Sequence, residues 1–312
     1  KNTMLLVISA LLPVFMVIVL GYLLRSRGVL DAAAWHGLEN LCYYVLFPVL
    51  LVKTLAVADV NTADIARYSG ALLFAIFAMT GLLLAGYPVL HRYFRISRAA
   101  FTSIFQGATR WHGFIALSIA GLVIGEEGVV YMAVTMAVII PPLNIINVMV
   151  LAHFGEGEGN LADVLAKLVR NPFIIACALG AFLNITGLGL TTLLYNIADI
   201  IGGGALGIGL LTVGAGIHLG SIRDHRGRVV FGTLLRLLGM PLLMYLGCLI
   251  FGVVGLPRMV ALLAAAVPTG SATFVLARQM GGDAPLMANL ITLQVLGATV
   301  TLPLVLWISY FL

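Results

Sequence analysis

From Thr3 to Leu24 the chain carries no charged side chain, and apolar runs of similar length recur almost to its end. About 20 consecutive apolar residues suffice to carry a helix across the hydrocarbon core of a bilayer. Inside lipid, only helices and closed barrels satisfy their own backbone polar groups. Composition turns this into a requirement. Hydrophobic residues make up 62% of the 312 positions and charged residues 9%, against about 25% charged in ordinary soluble domains. Too little polar surface remains to cover a water-soluble core, so lipid must cover much of the outside. The expected fold is all-α and polytopic, with about ten transmembrane helices joined by short loops.

Charged and turn-rich breaks divide the chain into these spans. The first, Thr3–Leu24, is read as a span rather than a cleaved signal segment, because its apolar run is long and only Lys1 precedes it as a charge. The others are expected at about 34–57, 65–87, 99–124, 128–153, 171–185, 192–219, 229–254, 258–280 and 285–312. A polar stretch, Gly155-Glu-Gly-Glu-Gly159, marks a linker at 154–162. It parts a first set of five spans in 1–153 from a second set in 163–312.

A formal charge of +5 would suggest nucleic acid in a soluble protein. Here the basic residues fall between spans, so orientation explains them and no nucleic-acid partner is expected. The odd-numbered loops hold Arg25, Arg27, Arg92, Arg95, Arg98, Lys167, Arg170, Arg223, Arg226, Arg228 and Arg278, eleven in all. The opposite face holds four, Lys1, Lys53, Arg67 and Arg258. The excess places the odd loops and the 154–162 linker in the cytoplasm and both termini outside. Arg236, within about two turns of the cytoplasmic end of the eighth span, is expected to snorkel to that surface. Cys42, Cys177 and Cys248 each sit alone in apolar sequence. They have no metal-ligand spacing and are read as buried small hydrophobes. Neither a metal nor a cofactor is expected. His-Glu-x-x-His and Gly-x-Ser-x-Gly motifs do not occur, so an enzyme is not expected.

The two halves resemble one another. A shift of 160 residues lays Arg98 on Arg258, Thr109 on Thr269, Phe114 on Phe274 and Gly121 on Gly281. A shift of 159 lays Gly28 on Gly187 and Asn40 on Asp199. Five spans per copy is an odd number, so the second copy enters from the opposite face. That is an inverted-topology repeat, a frequent design among secondary transporters.

Spans four and nine carry polar residues and glycine at matching positions. Span four reads Phe105-Gln-Gly-Ala-Thr-Arg-Trp-His-Gly-Phe114, and span nine reads Ala266-Val-Pro-Thr-Gly-Ser-Ala-Thr-Phe274. Interruptions are expected at Gly107–Gly113 and at Pro268–Thr273. Pro268 removes a backbone donor, and irregular backbone is tolerated in a membrane only inside protein or along a cavity. Half-helix N-termini at the midplane favour an anion. The candidate binding set is Thr109, Arg110, Trp111, His112 and Gly113 from span four, and Pro268, Thr269, Gly270, Ser271 and Thr273 from span nine. Asn144 and Asn147, after Pro141-Pro142 in span five, either face the break or glue helices together. Arg110 would clamp a carboxylate or bridge carbonyls freed by the break. Trp111 would stack on an aromatic ligand or simply pack. His112 would carry a proton or remain a neutral hydrogen-bonding group. Asp199, Gln106 and Gln294 are candidates for a coupling-ion path, for protons or sodium.

Several ordered segments carry a family resemblance over nearly the whole chain. They are Gly21-Tyr-Leu-Leu-Arg-Ser-Arg-Gly-Val-Leu30, Leu46-Phe-Pro-Val-Leu50, Arg170-Asn-Pro-Phe173 and Pro268-Thr through Phe274-Val-Leu-Ala-Arg278, followed by Gly281-Gly-Asp283. In these the chain resembles bacterial members of the auxin efflux carrier family, which includes plant PIN-type carriers and malonate-transporter-like proteins. The resemblance implies ten helices in two inverted five-helix repeats, with broken helices 4 and 9 crossing. It implies a scaffold of spans 1, 2, 6 and 7, usually dimeric, and a transport domain of spans 3–5 and 8–10. It also implies an elevator movement, an organic-anion substrate and residence in the bacterial inner membrane. The family's crossover asparagine in span four falls near His112 here, and span nine offers only Thr269, Ser271 and Thr273. The substrate therefore stays open between auxin-like carboxylates and small dicarboxylates. A sodium-coupled anion symporter of the bile-acid type and a non-transporting membrane sensor are the rival expectations.

Overall fold

The computed structural model describes residues 3–58, 62–155, 169–217, 226–270 and 272–309. Among these every regular element is helical. The order is α1 (Thr3–Ser26), α2 (Ala32–Leu41), α3 (Phe47–Ala56), α4 (Thr62–Phe94), α5 (Arg98–Thr109), α6 (Gly113–Ile119) and α7 (Glu126–Phe154). Then come α8 (Pro172–Ile185), α9 (Thr192–Gly203), α10 (Ala205–Ala215), α11 (Arg226–Leu234), α12 (Met240–Phe251), α13 (Gly255–Ala266), α14 (Ala272–Gln279) and α15 (Ala284–Ser309). Wider π-helical turns join α2 to α3 at Cys42–Leu46, extend α6 through Ala120–Ile124, and join α11 to α12 at Leu235–Gly239.

Eight of the helical stretches are long and apolar enough to cross a membrane: Ser9–Ser26, Ala32–Ala56, Asp64–Phe94, Arg98–Ile124, Glu126–Phe154, Thr192–Ala215, Arg226–Phe251 and Ala284–Ser309. Two expected spans are shorter. The sixth is the 14-residue α8. That is about 21 Å at 1.5 Å per residue, against a core of about 30 Å. The ninth is divided into α13 and α14 by the break at Pro268. Residues 156–162 of the expected linker lie outside the described residues.

Two boundaries differ from the sequence reading. The third span does not end at Tyr87; α4 runs on through Pro88 to Phe94. The Tyr87 ring stacks on His91 one turn ahead and packs on Phe101 and Phe154, with centroids 4.7 and 4.6 Å away. These contacts hold the extra turns in place. The interruption in span four is narrower than Gly107–Gly113. Helix α5 continues to Thr109, and only residues 110–112 leave it.

The chain forms two compact units. The first comprises residues 1–66, 113–137 and 169–217, the second 67–112, 138–168 and 218–312. In the first unit α1 and α10 meet backbone to backbone. A Cβ on Gly214 would lie 1.8 Å from Ile18 O, and one on Gly21 would lie 2.1 Å from Leu211 O. The glycine-rich seventh span thus serves close helix approach, as its small-residue spacing suggests. Phe47, Phe114 and Phe173 cluster in the same unit, with the Phe47 and Phe114 rings 4.6 Å apart. Lys53 Nζ lies 2.6 Å from Asp199 Oδ1 and 5.0 Å from the centre of the Tyr195 ring.

The glycine contacts yield a paired test on one helix. Gly214→Ala forces a methyl group into a carbonyl, whereas a Cβ at Gly207 meets nothing within 4 Å. Overpacking costs roughly 1–3 kcal/mol or more, which exceeds the gain of about 1 kcal/mol from replacing a helical glycine by alanine. Gly214→Ala should therefore lower the unfolding temperature in detergent sharply, and Gly207→Ala should leave it level or raise it. Equal behaviour of the two would contradict the close packing.

Candidate functional site

The two breaks belong to the second unit and are joined directly. The His112 backbone N–H donates to Pro268 O at 2.8 Å. On the span-nine side, Val267 ends α13 in an extended conformation, φ −69° and ψ 149°. The ring of Pro268 favours that state in the residue before it. On the span-four side, Arg110 is likewise extended, φ −79° and ψ 157°. No proline enforces this second break; side chains from neighbouring helices hold it.

An interrupted helix leaves its last carbonyls without intrahelical donors. Here named groups take them. At the end of α5, Gln106 O accepts from Arg110 N at 2.9 Å, and Gly107 O accepts from Gln294 Nε2 at 3.0 Å. Ala108 O accepts from Arg236 Nη1 at 3.4 Å. At the end of α13, Ala264 O accepts from Arg236 Nη2 at 2.9 Å and Val267 O from Arg236 Nε at 2.7 Å. Gln294, from α15, also accepts from Thr269 N at 2.9 Å through Oε1. One arginine and one glutamine thus fasten both breaks.

Arg236 corrects the sequence reading. It does not snorkel; it is 1% exposed, and its guanidinium is held by three backbone carbonyls. Its position inside an apolar run was visible in the sequence, but its partners were not.

The remaining candidates divide by position. Thr109 is buried; its Oγ1 donates to Phe105 O at 2.8 Å and lies 3.3 Å from Asn147 Oδ1. Asn147 is buried and turned back on Leu143 O at 2.8 Å. Arg110 Nη2 donates to Asn144 Oδ1 at 3.0 Å. Arg110, Trp111 and His112 are half-buried, as is Asn144. Gly270 lets the breaks approach, since a Cβ there would meet Trp111 O at 3.3 Å. Thr273 is buried and closes the first turn of α14 onto Gly270 O. Ser271 lies outside the described residues. Gln106 is fully buried, and neither amide atom of its side chain has a hydrogen-bond partner among the described residues. Thr269 Oγ1 is in the same condition. Gly113 and Asp199 belong to the first unit, and Asp199 is paired there with Lys53.

The fastening is testable without a ligand. Gln294→Leu leaves the buried Thr269 N–H and Gly107 carbonyl unsatisfied, at about 1–3 kcal/mol each. Unfolding temperature should fall clearly, and amide exchange at Thr269 should quicken. An unchanged exchange rate would show that the bond contributes nothing.

Two joined helix breaks lined by buried polar groups thus lie within a helical chain of span-length apolar elements. Comparison with known proteins supplies the family. The family described as "Membrane transport protein" matches residues 6–306. A protein of Methanothermobacter thermautotrophicus (strain Delta H), described as an uncharacterized transporter, is 24% identical over 302 residues, covering 95% of this chain and 96% of its own length. The chain is a multi-pass membrane protein and belongs to the membrane transport protein family, that of the auxin efflux carriers.

Proposed function

We propose that the protein is a secondary transporter of organic carboxylate anions, and that the anion binds at the crossover of the two breaks. The observation that carries this is the charge of the second unit. Its described residues include ten arginines: Arg67, Arg92, Arg95, Arg98, Arg110, Arg226, Arg228, Arg236, Arg258 and Arg278. Over its whole sequence the unit carries twelve basic residues against five carboxylates; among these, Asp283 Oδ1 caps α15 by accepting from Leu286 N. Arg236 and Arg258 are buried and Arg110 is half-buried. An intramembrane arginine is costly and ordinarily faces a counter-charge or a functional pathway. A body with that excess of basic residues favours a cargo that brings a carboxylate.

In this reading Arg110, oriented by the Asn144 amide oxygen, presents a planar fork suited to a carboxylate. Trp111 and His112 beside it offer an apolar face and a polar edge. The substrate class is an auxin-like aromatic carboxylate or a small dicarboxylate. The ten-span, inverted-repeat arrangement and the cytoplasmic-membrane location with periplasmic termini belong to the same proposal. So does an elevator movement of a transport domain of spans 3–5 and 8–10, which hold most of the second unit, against a dimeric scaffold of spans 1, 2, 6 and 7. Protons or sodium are the candidate coupling ions. The unpartnered amide of Gln106 and hydroxyl of Thr269 favour testing sodium first, since oxygen donors of that kind suit a hard cation.

Purified protein in liposomes, offered radiolabelled indole-3-acetate or malonate, should accumulate or release one of them across the bilayer. Arg110→Ala should weaken that flux by about tenfold or more, as expected for loss of a charge-assisted contact worth roughly 1.5–3 kcal/mol. Flux indifferent to Arg110→Ala would remove the arginine from the site. Replacing sodium by choline distinguishes sodium from proton coupling.

A further inference from the structure

Arg236 does more than complete hydrogen bonds. Each of its three guanidinium nitrogens meets a carbonyl at the C-terminal end of a half-helix, Ala108 on α5 and Ala264 and Val267 on α13. A helix C-terminus carries about half a negative charge. Two of them meeting at one point bring about one, and a single guanidinium offsets it. Among the described residues no carboxylate competes for this guanidinium; Asp283 caps α15. Gln294 ties the same two breaks but carries no charge.

We infer that Arg236 sets the charge selectivity of the crossover: by cancelling the two C-terminal dipoles it leaves the site attractive to anions, while its own nitrogens are spent on backbone. It is a specificity-determining positioning residue. The inference rests on the reading of the crossover as the anion site. A neutral side chain at position 236 would leave two negative helix ends beside the ligand, opposed only by the N-terminal end of α14 and by Arg110. Such a site attracts carboxylates less and a cation more. A lysine would restore the charge but not the three-way fork.

The test compares the full-length native protein with Arg236→Gln, Arg236→Lys and Gln294→Leu. The probes are malonate, indole-3-acetate and sodium, read by thermal shift, together with hydrogen exchange of residues 107–112 and 264–270 in the absence of added anion. Arg236→Gln should lower carboxylate affinity about tenfold or more and should gain a sodium-dependent stabilisation larger than native. Arg236→Lys should keep carboxylate affinity within about threefold of native while its exchange quickens. Gln294→Leu should quicken exchange with no gain toward sodium. The inference is overturned if Arg236→Gln binds the carboxylates as native does. It is equally overturned if Gln294→Leu, whose charge is unchanged, loses as much affinity as Arg236→Gln. Should Arg236→Gln not fold, Arg236→Lys decides: retained affinity with faster exchange supports the role of charge, and affinity lost with the fork overturns it. If native protein binds neither carboxylate, the anion reading fails by itself. The sodium arm still tests Arg236, and no gain in Arg236→Gln sinks the inference.

Discussion

Carbonyl groups at the end of a helix that stops inside a membrane have no water to turn to, and each left unsatisfied in hydrocarbon costs several kcal/mol. Two such ends meet in this protein, and the second unit is arranged around satisfying them. Arg236 reaches both from the π-helical turn between α11 and α12, Gln294 reaches both from α15, and the His112 amide reaches Pro268 across the crossover. The π turn has a part in this. An extra residue in a helical turn re-aims the side chains that follow it, and Arg236 lies inside one. Removing any one of these donors exposes a group that nothing else nearby is shown to serve.

The two units solve different packing problems. In the first, glycines let backbones touch, as Gly214 does against Ile18 and Gly21 against Leu211. Such contacts rely on dispersion and tolerate no added methyl group. In the second, buried polar side chains take the place of missing backbone bonds. Thr102, Ser103, Gln106, Thr109, Arg236, Thr269 and Gln294 are all buried there. A polar interior of this kind is specific, because each group must find its partner in a low-dielectric surrounding.

Much of this was legible in the sequence, and the reasons for the rest are physical. The apolar runs showed where helices lie because burial in lipid demands them. The breaks were legible because Pro268 and Arg110 are each conspicuous in an apolar helix. The exact extent of the first break was not. Gly107 reads as a helix breaker, but Leu290 and Gln294 pack against it, 3.1 and 3.5 Å from where a Cβ would sit, and α5 passes through unbroken. Arg236 was misread because sequence distance hides its partners. It bonds residues separated from it by 128, 31 and 28 positions. The Lys53–Asp199 pair spans 146 positions, and no periodicity reports such a meeting.

The net charge of +5 conceals an asymmetry that matters more than its sum. Over the full sequence, the first unit holds seven carboxylates, Asp31, Glu39, Asp59, Asp64, Glu126, Glu127 and Asp199, against five basic side chains, Lys1, Arg25, Arg27, Lys53 and Arg170. The second holds five carboxylates against twelve basic side chains. Moving one elementary charge through a membrane potential is worth about 2.3 kcal/mol per 100 mV. A positive body that shifts within the membrane therefore feels the potential more strongly empty than loaded with an anion. If most of the second unit moves with its cargo, as proposed, each carboxylate it binds reduces the charge that has to move. The excess of basic residues in that unit then bears on transport twice, once in what the site attracts and once in what the potential does to the unit that carries it.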